Sequence, residues 1–300
     1  MLIKTLSRQS RRVLTVSFIA LLAGFSGSAF ATPVSLGGAG PTDFAVFETG
    51  VSSVDVSSLS NGGSITGDVG VVSSGKFTMT GGSTLHGNLY LGNTATDSIT
   101  GGSTIANGYH TYSNQDSLLN AAAANAASAE STAAGLTPTG TLSTTTLQNG
   151  NTMTITTGVY DVSSLTLNYG TLNFSGAGQF IINISGAFSI SSSPIINLIN
   201  GAVADDIIYN ITGTTGVNVD SSLPGIILAP TAAVTITNGA LLTGEVVSGK
   251  DITINYQGVS GNPGSVLGGG NPVPDGGWTV ELLALAVFAA EYLRKKLALA

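Results

Sequence analysis

Two histidines, His86 and His110, and one adjacent carboxylate pair, Asp205-Asp206, are the residues of this chain best suited to moving protons. A catalytic nucleophile needs a base within reach and a third group to orient that base. His86 stands in a glycine-rich repeat whose counterparts carry small polar residues, and His110 follows Tyr109 ahead of a helical stretch. Both read as surface or packing residues. A carboxylate pair can act as general acid and base on a glycosidic bond. Neighbouring residues of a strand point to opposite faces, so at most one of Asp205 and Asp206 could face a given cleft. The pair reads more simply as turn acids ahead of the apolar Ile207-Ile208. Cysteine is absent, which excludes disulfides, thiolate metal sites and thiol nucleophiles together. Two isolated histidines do not make a zinc site. No metal or cofactor is expected, and the chain reads as non-catalytic.

Hydroxyl groups are what the sequence offers instead. Thr235, Thr237, Thr253 and Asn255 alternate with apolar residues in two short stretches, and Thr152, Thr154 and Thr156 do so in a third. A flat, regularly spaced array of hydroxyls orders water and can match an ice lattice. Threonine is also a good outward residue of any strand. Along the sequence the Thr-x-Thr pairs are unevenly spread, and no long array repeats.

The elements that would hold these side chains are short and repetitive. Gly62-Gly63-Ser64-Ile65-Thr66-Gly67, Gly81-Gly82-Ser83-Thr84-Leu85-His86-Gly87 and Gly101-Gly102-Ser103-Thr104-Ile105-Ala106 begin 19 and 20 residues apart. That period is the period of solenoid coils, each of which buries its apolar side only by stacking on a neighbour. Leu165-Thr166-Leu167-Asn168, Val234-Thr235-Ile236-Thr237 and Ile252-Thr253-Ile254-Asn255 alternate with period two, the strand signal. Between the halves, Gln115 to Ala134 is alanine-rich and free of glycine and proline, with Asn114 as candidate N-cap and Gly135 as C-cap. Leu118, Ala122, Ala126, Ala129 and Ala133 make one narrow face of this helix, over about 114–135, suited to lying close against a sheet. The expected fold is mainly β: a right-handed β-helix over 32–261 with one long α-helix packed alongside.

Positive charge lies almost wholly at the ends. Of nine bases only Lys76 and Lys250 lie between Thr32 and Asn271, against thirteen acids, a net charge of −11 over that span. Such a field repels nucleic-acid backbones, so nucleic acid is excluded as a partner. Lys4 to Arg12, the apolar Val13 to Phe25 and the small-x-small Ala29-Phe30-Ala31 form the three parts of a secretory signal peptide over 1–31, with an uncleaved N-terminal anchor as the alternative. A Gly/Pro linker follows the body at 262–272. The segment 273–300 then carries Val273-Pro274-Asp275-Gly276-Gly277, an apolar run over 278–293 interrupted by Glu281 and Glu291, and the bases Arg294, Lys295 and Lys296. The run is short for a spanning helix. By the positive-inside rule its bases would stay cytoplasmic and the body would lie outside the inner membrane.

Motif, helix and basic cluster, in that order, resemble the VPDSG variety of the PEP-CTERM sorting signals of Gram-negative bacteria; Gly276 departs from that pattern, which has serine. The resemblance implies an exosortase-type membrane enzyme as processing partner, transient inner-membrane anchoring, and a final place at the cell surface or in the medium. An anchor that is never cut is the alternative. The body resembles two related secreted β-solenoid families, the choice-of-anchor A adhesin-like and the ice-binding-like. Asp43-Phe44-Ala45-Val46-Phe47, Ile65-Thr66-Gly67-Asp68-Val69-Gly70, Ala204 to Asn210, and Gly225 to Pro230 followed by Gly244-Glu245-Val246-Val247 carry that resemblance. Two functions follow as expectations. The first is a non-catalytic, surface-sorted adhesin or matrix component touching exopolysaccharide or a matrix protein. The alternative is ice binding through a flat threonine face built on Thr235, Thr237, Thr253 and Asn255. A carbohydrate-active enzyme is a distant third.

Overall fold

The computed structural model describes Val34 and residues 44–50, 56–191, 193–256 and 258–261. The leader with Ala29 and Ala31, the linker, the motif Val273-Pro274-Asp275-Gly276-Gly277, the apolar run and Arg294-Lys295-Lys296 lie outside the described residues. Within them the chain is a stack of coils with three parallel sheets, and one α-helix lies along the stack. The sheets pair strand to strand in parallel throughout, so the alternating apolar residues of successive coils superpose into continuous inward ladders. Leu165 lies opposite Phe188, Phe188 opposite Val217, Val217 opposite Val234 and Val234 opposite Ile252. All five side chains are buried. No single coil could bury them alone, which is why the repeats stack.

The corner between the second and third faces is made by residues in the left-handed region: Asn61, Gly81, Gly101, Asn149, Tyr169, Asn238 and Tyr256. Glycine and asparagine enter that region at least cost, and this accounts for the repeated glycine corners. The three strands that follow the glycine repeats, Ser64–Thr66, Thr84–His86 and Thr104–Ile105, pair in register, Ser64 with Thr84 and Thr84 with Thr104. Corner and strand thus stack as the repeats predict.

The order of coils along the axis is not the order along the chain. The first strand of the first sheet, Phe44–Glu48, lies between Asp68–Val71 and Val246–Ser248. In the second sheet Val56–Ser60 pairs with Ile252–Asn255, and in the third Ser64–Thr66 pairs with Gly258–Ser260. The last coil therefore docks on the first coil, and the two halves join through one ladder in each sheet.

The helix, α1 (Asp116–Gly135), makes that arrangement possible. It leaves the far end of the N-terminal coils and returns the chain to the opposite end. Its 20 residues span about 30 Å at about 1.5 Å per residue. From the strand Leu89–Leu91 to the strand Thr171–Ile184 the first sheet has six strand spacings, about 29 Å at about 4.8 Å each. Leu119, Ala122, Ala126, Ala129 and Ala133 are buried against the outer face of the first sheet, among Phe44, Phe47, Ile181, Ile208, Ile226 and Val247. The sequence places Leu118 on this face; in the structure Leu119 is the fully buried residue, and Leu118 packs half-buried beside it. Asn114 is not the cap either. It holds a left-handed conformation two residues ahead of the helix, and Gln115 occupies the cap position with no side-chain bond to the helix. Gly135 is the last residue of the helix and Leu136 follows as its cap.

Side chains of the solenoid hold both helix ends. At the start, the Asp116 carboxylate accepts from the Ser73 hydroxyl and from the Asn93 backbone N–H, at 2.5 and 2.7 Å. These bonds, the one from Ser73 foremost, hold its pKa below the usual carboxylate range. At the end, Asn183 donates to the Ala133 carbonyl and Asn210 to that of Glu130, at 3.0 and 3.3 Å. The Ala133 carbonyl lies in the last turn, where a helix lacks internal donors, and that of Glu130 about one turn earlier. Asn210 also donates to Asn183, and Asn183 to Asp161, so a polar ladder, buried at its two asparagines, crosses three strands beneath the helix terminus.

Two expectations follow. Ala126→Phe should lift α1 from the sheet and cost about 1–3 kcal/mol in urea denaturation, whereas Ala127→Phe, on the exposed side, should cost little. Burial, aided by the neighbouring Asp205, pushes the Asp206 carboxyl above its ordinary range although the Gly178 N–H donates to it. A raised acid favours the folded state below the unfolded pKa of about 4, and that contribution is lost as pH rises through the folded value. Asp206→Asn keeps an acceptor for Gly178, so it should raise Tm near neutrality and leave it unchanged at about pH 3, by calorimetry at both values.

Candidate functional site

The first sheet is closed to solvent on its outer side by α1. The second sheet is not. Its nine strands run in the order Thr146–Gln148, Leu165–Asn168, Phe188–Ser191, Val217–Val219, Val234–Ile236, Ile252–Asn255, Val56–Ser60, Lys76–Met79 and Thr96–Ile99. Because side chains alternate across a strand, the buried ladders on the inner face fix which residues point out.

The outward residues form one file in strict register. Thr146 lies opposite Thr166, Thr166 opposite Ser189, and Ser189 opposite Asn218. Asn218 lies opposite Thr235 and Thr235 opposite Thr253. Thr253 then lies opposite Ser58, Ser58 opposite Thr78 and Thr78 opposite Ser98. Nine strands contribute five threonines, three serines and one asparagine to this file, and no charged or apolar residue interrupts it. Parallel strands lie about 4.8 Å apart, so these small polar side chains repeat at that interval. The β-branched threonines are also stiff at χ1, which keeps the array fixed in orientation.

Of the four residues expected at such a face, Thr235 and Thr253 are direct neighbours in the file. Thr237 follows its strand, and its hydroxyl donates to the Asp220 carboxylate. Asn255 pairs with Ser60 and accepts from the Asn61 side chain at 2.7 Å. The other members, Thr146, Thr166, Ser189, Asn218, Ser58, Thr78 and Ser98, escape a reading of sequence spacing. From Thr166 to Thr253 the intervals are 23, 29, 17 and 18 residues. Coil length varies while the step between coils does not. The expectation that no long array exists is thus corrected: what is uneven along the chain is even across the sheet. The available signal was the triplet of apolar, small polar, apolar, as in Phe188-Ser189-Ile190 and Val217-Asn218-Val219.

The other candidates stay apart from this face. Thr152, Thr154 and Thr156 belong to a separate part of the third face, where Asn173 donates to Thr154 and Asn197 to Asn173, at 3.2 and 2.8 Å. His86 is exposed on the third sheet, and the His110 ring meets Tyr112 edge-on at 6.2 Å. Asp205 and Asp206 lie in a short 3-10 turn, Ala204–Asp206, and not in a strand. Among the described residues no three of His, Asp or Glu stand close enough to hold a metal ion, and no helix is long and apolar enough to cross a membrane.

Solved structures share this architecture. An ice-binding protein from the Antarctic ascomycete Antarctomyces psychrotrophicus is 23% identical, with a TM-score of 0.55 over 76% of this chain and 98% of that one. The ice-binding protein LeIBP from an Arctic yeast is 22% identical, with a TM-score of 0.56 over 78% and 96%. One from an Antarctic Flavobacteriaceae bacterium is 28% identical, with a TM-score of 0.52 over 76% of this chain and 47% of that one. No curated protein sequence matches. Of the two families that the body resembles, the ice-binding-like one matches residues 49–260. The chain belongs to the ice-binding-like family.

Proposed function

We propose that this protein binds ice, and that the outward file of the second sheet is the surface that meets it. The observation that carries this reading is the unbroken register of nine small polar side chains from Thr146 to Ser98. A crystal plane is a periodic ligand without charge. Recognition needs a flat surface with matching period and few ions, and the second sheet supplies these where the helix-covered first sheet does not. Threonine suits the task because its hydroxyl bonds water while its methyl group packs against the ordered layer. Rigidity matters equally, since an array fixed by a packed core pays little ordering entropy on contact.

Family and structural neighbours favour this role over the adhesin or matrix role, and the family is of a non-enzymatic kind. Contact with exopolysaccharide or matrix protein has no such support. Export belongs to the same proposal. Ice outside the cell is reached only by a secreted protein, and the basic, apolar and small-residue parts of 1–31 provide the route. The tail 273–300 would hand the body to an exosortase-type enzyme after transient membrane anchoring.

Thr235→Tyr and Thr253→Tyr should each abolish ice-recrystallisation inhibition and crystal shaping, while Thr154→Tyr, on the third face, should leave both intact. Inhibition that survives both variants on the second sheet, or is lost with Thr154→Tyr alone, would sink the assignment. Mass spectrometry of protein recovered from the medium should give an N-terminus at Thr32 and a C-terminus near Val273 to Gly277. An intact tail in released protein would refute processing.

A further inference from the structure

One strand edge stays open where the coils change length. Ile195–Ile199 pairs with residues 171–175 of the strand Thr171–Ile184, and among the described residues no strand pairs with its other edge. The next coil cuts this face short: its strand there, Leu223–Pro224, has two residues and pairs with Leu241–Thr243 instead. Ile196 and Leu198 lie opposite the fully buried Leu172 and Phe174, on the core side. Leu198 is nevertheless exposed and Ile196 half-buried, since their edge lacks a following strand. Ile195 and Ile199 are exposed on the outer side.

Proteins blunt open edges by placing charges on them or by keeping them short. Other edges of this molecule are blunted so: the outer strand Thr96–Ile99 carries Asp97, and Thr104–Ile105 and Thr111–Tyr112 have two residues each. Ile195–Ile199 has five residues, and no charged residue stands in the chain between Asp161 and Asp205. Such an edge offers nothing to an ionic partner. It fits a strand of equally neutral and apolar character, added through main-chain hydrogen bonds.

The strand is itself such a partner. From either end it reads apolar, apolar, asparagine, apolar, apolar, in Ile195-Ile196-Asn197-Leu198-Ile199. A two-fold contact requires a surface complementary to itself, and here the centre of symmetry is Asn197. The Ile195 N–H donates to the Gly170 carbonyl at 2.9 Å. Ile195, Asn197 and Ile199 therefore turn their backbone groups to the existing ladder, and Ile196 and Leu198 turn theirs to the open edge. Two antiparallel copies centred on Asn197 place Ile196 opposite Leu198 twice, which makes four backbone hydrogen bonds. The side chains agree with this register. Asn197 donates to Asn173, and Asn173 to Thr154, at 2.8 and 3.2 Å. This amide row ends at Asn197, whose carbonyl oxygen and second amide hydrogen can meet the same groups of another Asn197.

We infer that Ile195–Ile199 joins two copies of this chain as a two-fold antiparallel pair, with Asn197 against Asn197. The inference does not rest on the ice-binding reading. A contact of five residues a side falls short of the roughly 1,200 Å² at which stable interfaces begin, so the pair forms and parts readily.

The absence of cysteine lets a disulfide report the register. Opposite residues of a non-hydrogen-bonded antiparallel pair have Cα atoms about 4.5 Å apart, within disulfide reach. Positions 195, 197 and 199 are all exposed, so substitution there leaves the core intact. Asn197→Cys in the full-length chain, at about 100 μM under mild oxidation, should form a disulfide-linked dimer about tenfold faster than Ile195→Cys or Ile199→Cys alone, on a non-reducing gel. In those two variants the like positions stand four residues apart along the strand, about 13 Å. Mixed together, Ile195→Cys and Ile199→Cys should cross-link to each other, because they lie opposite. Equal rates at all three positions, no dimer from Asn197→Cys, or no gain in the mixture over either variant alone would each overturn the assignment. The second of these is also the result that an edge covered by the chain's own tail would give.

Discussion

The ladder between Phe44–Glu48 and Val246–Ser248, with its companions in the other two sheets, is the constraint on which the molecule depends. Each half alone would end in an exposed sheet edge with a half-covered core, an arrangement that favours pairing with another chain. Joined, the halves bury those edges in one another, and the apolar ladders run uninterrupted through the junction. The hydroxyl file crosses the same junction where Thr253 meets Ser58. Its length therefore depends on a contact between residues almost two hundred positions apart.

The junction in turn depends on the helix. For the last coil to land on the first, the chain must be carried from one end of the stack to the other, and α1 does so at nearly the length that six strand spacings require. Small side chains let its axis approach the sheet. The ladder of Asp161, Asn183 and Asn210 then fixes where it ends, through hydrogen bonds from the two buried asparagines to helix carbonyls. Covering the first sheet also decides the use of the others, since an array meant for an extended ligand needs an unobstructed face.

Local features of this fold were legible in the sequence because local physics sets them. Period-two alternation announced the strands, glycine corners the coil turns, and the alanine-rich stretch the helix. Features set by contact between distant coils were not. Nothing in Ser58 or Thr78 says that they extend a row begun by Thr166 and Thr235, because register between coils is decided by stacking and not by spacing along the chain. The shift of the buried leucine from Leu118 to Leu119 has a similar origin: the helix starts where Asp116 meets Ser73 and Asn93, and its rotation follows from that anchor. The acids Asp205 and Asp206 turned out to be turn residues, as the apolar Ile207-Ile208 after them implied.

Because the first and last coils are neighbours inside the stack, Phe44 and Gly261 both stand at an interior position of the solenoid. A tether running from Gly261 would grip the molecule by its flank. A load pressed on the hydroxyl face then acts through short lever arms on either side of the attachment, and torque on the tether stays small. Tension applied between Phe44 and Gly261 would open the body first at the seam between the coils.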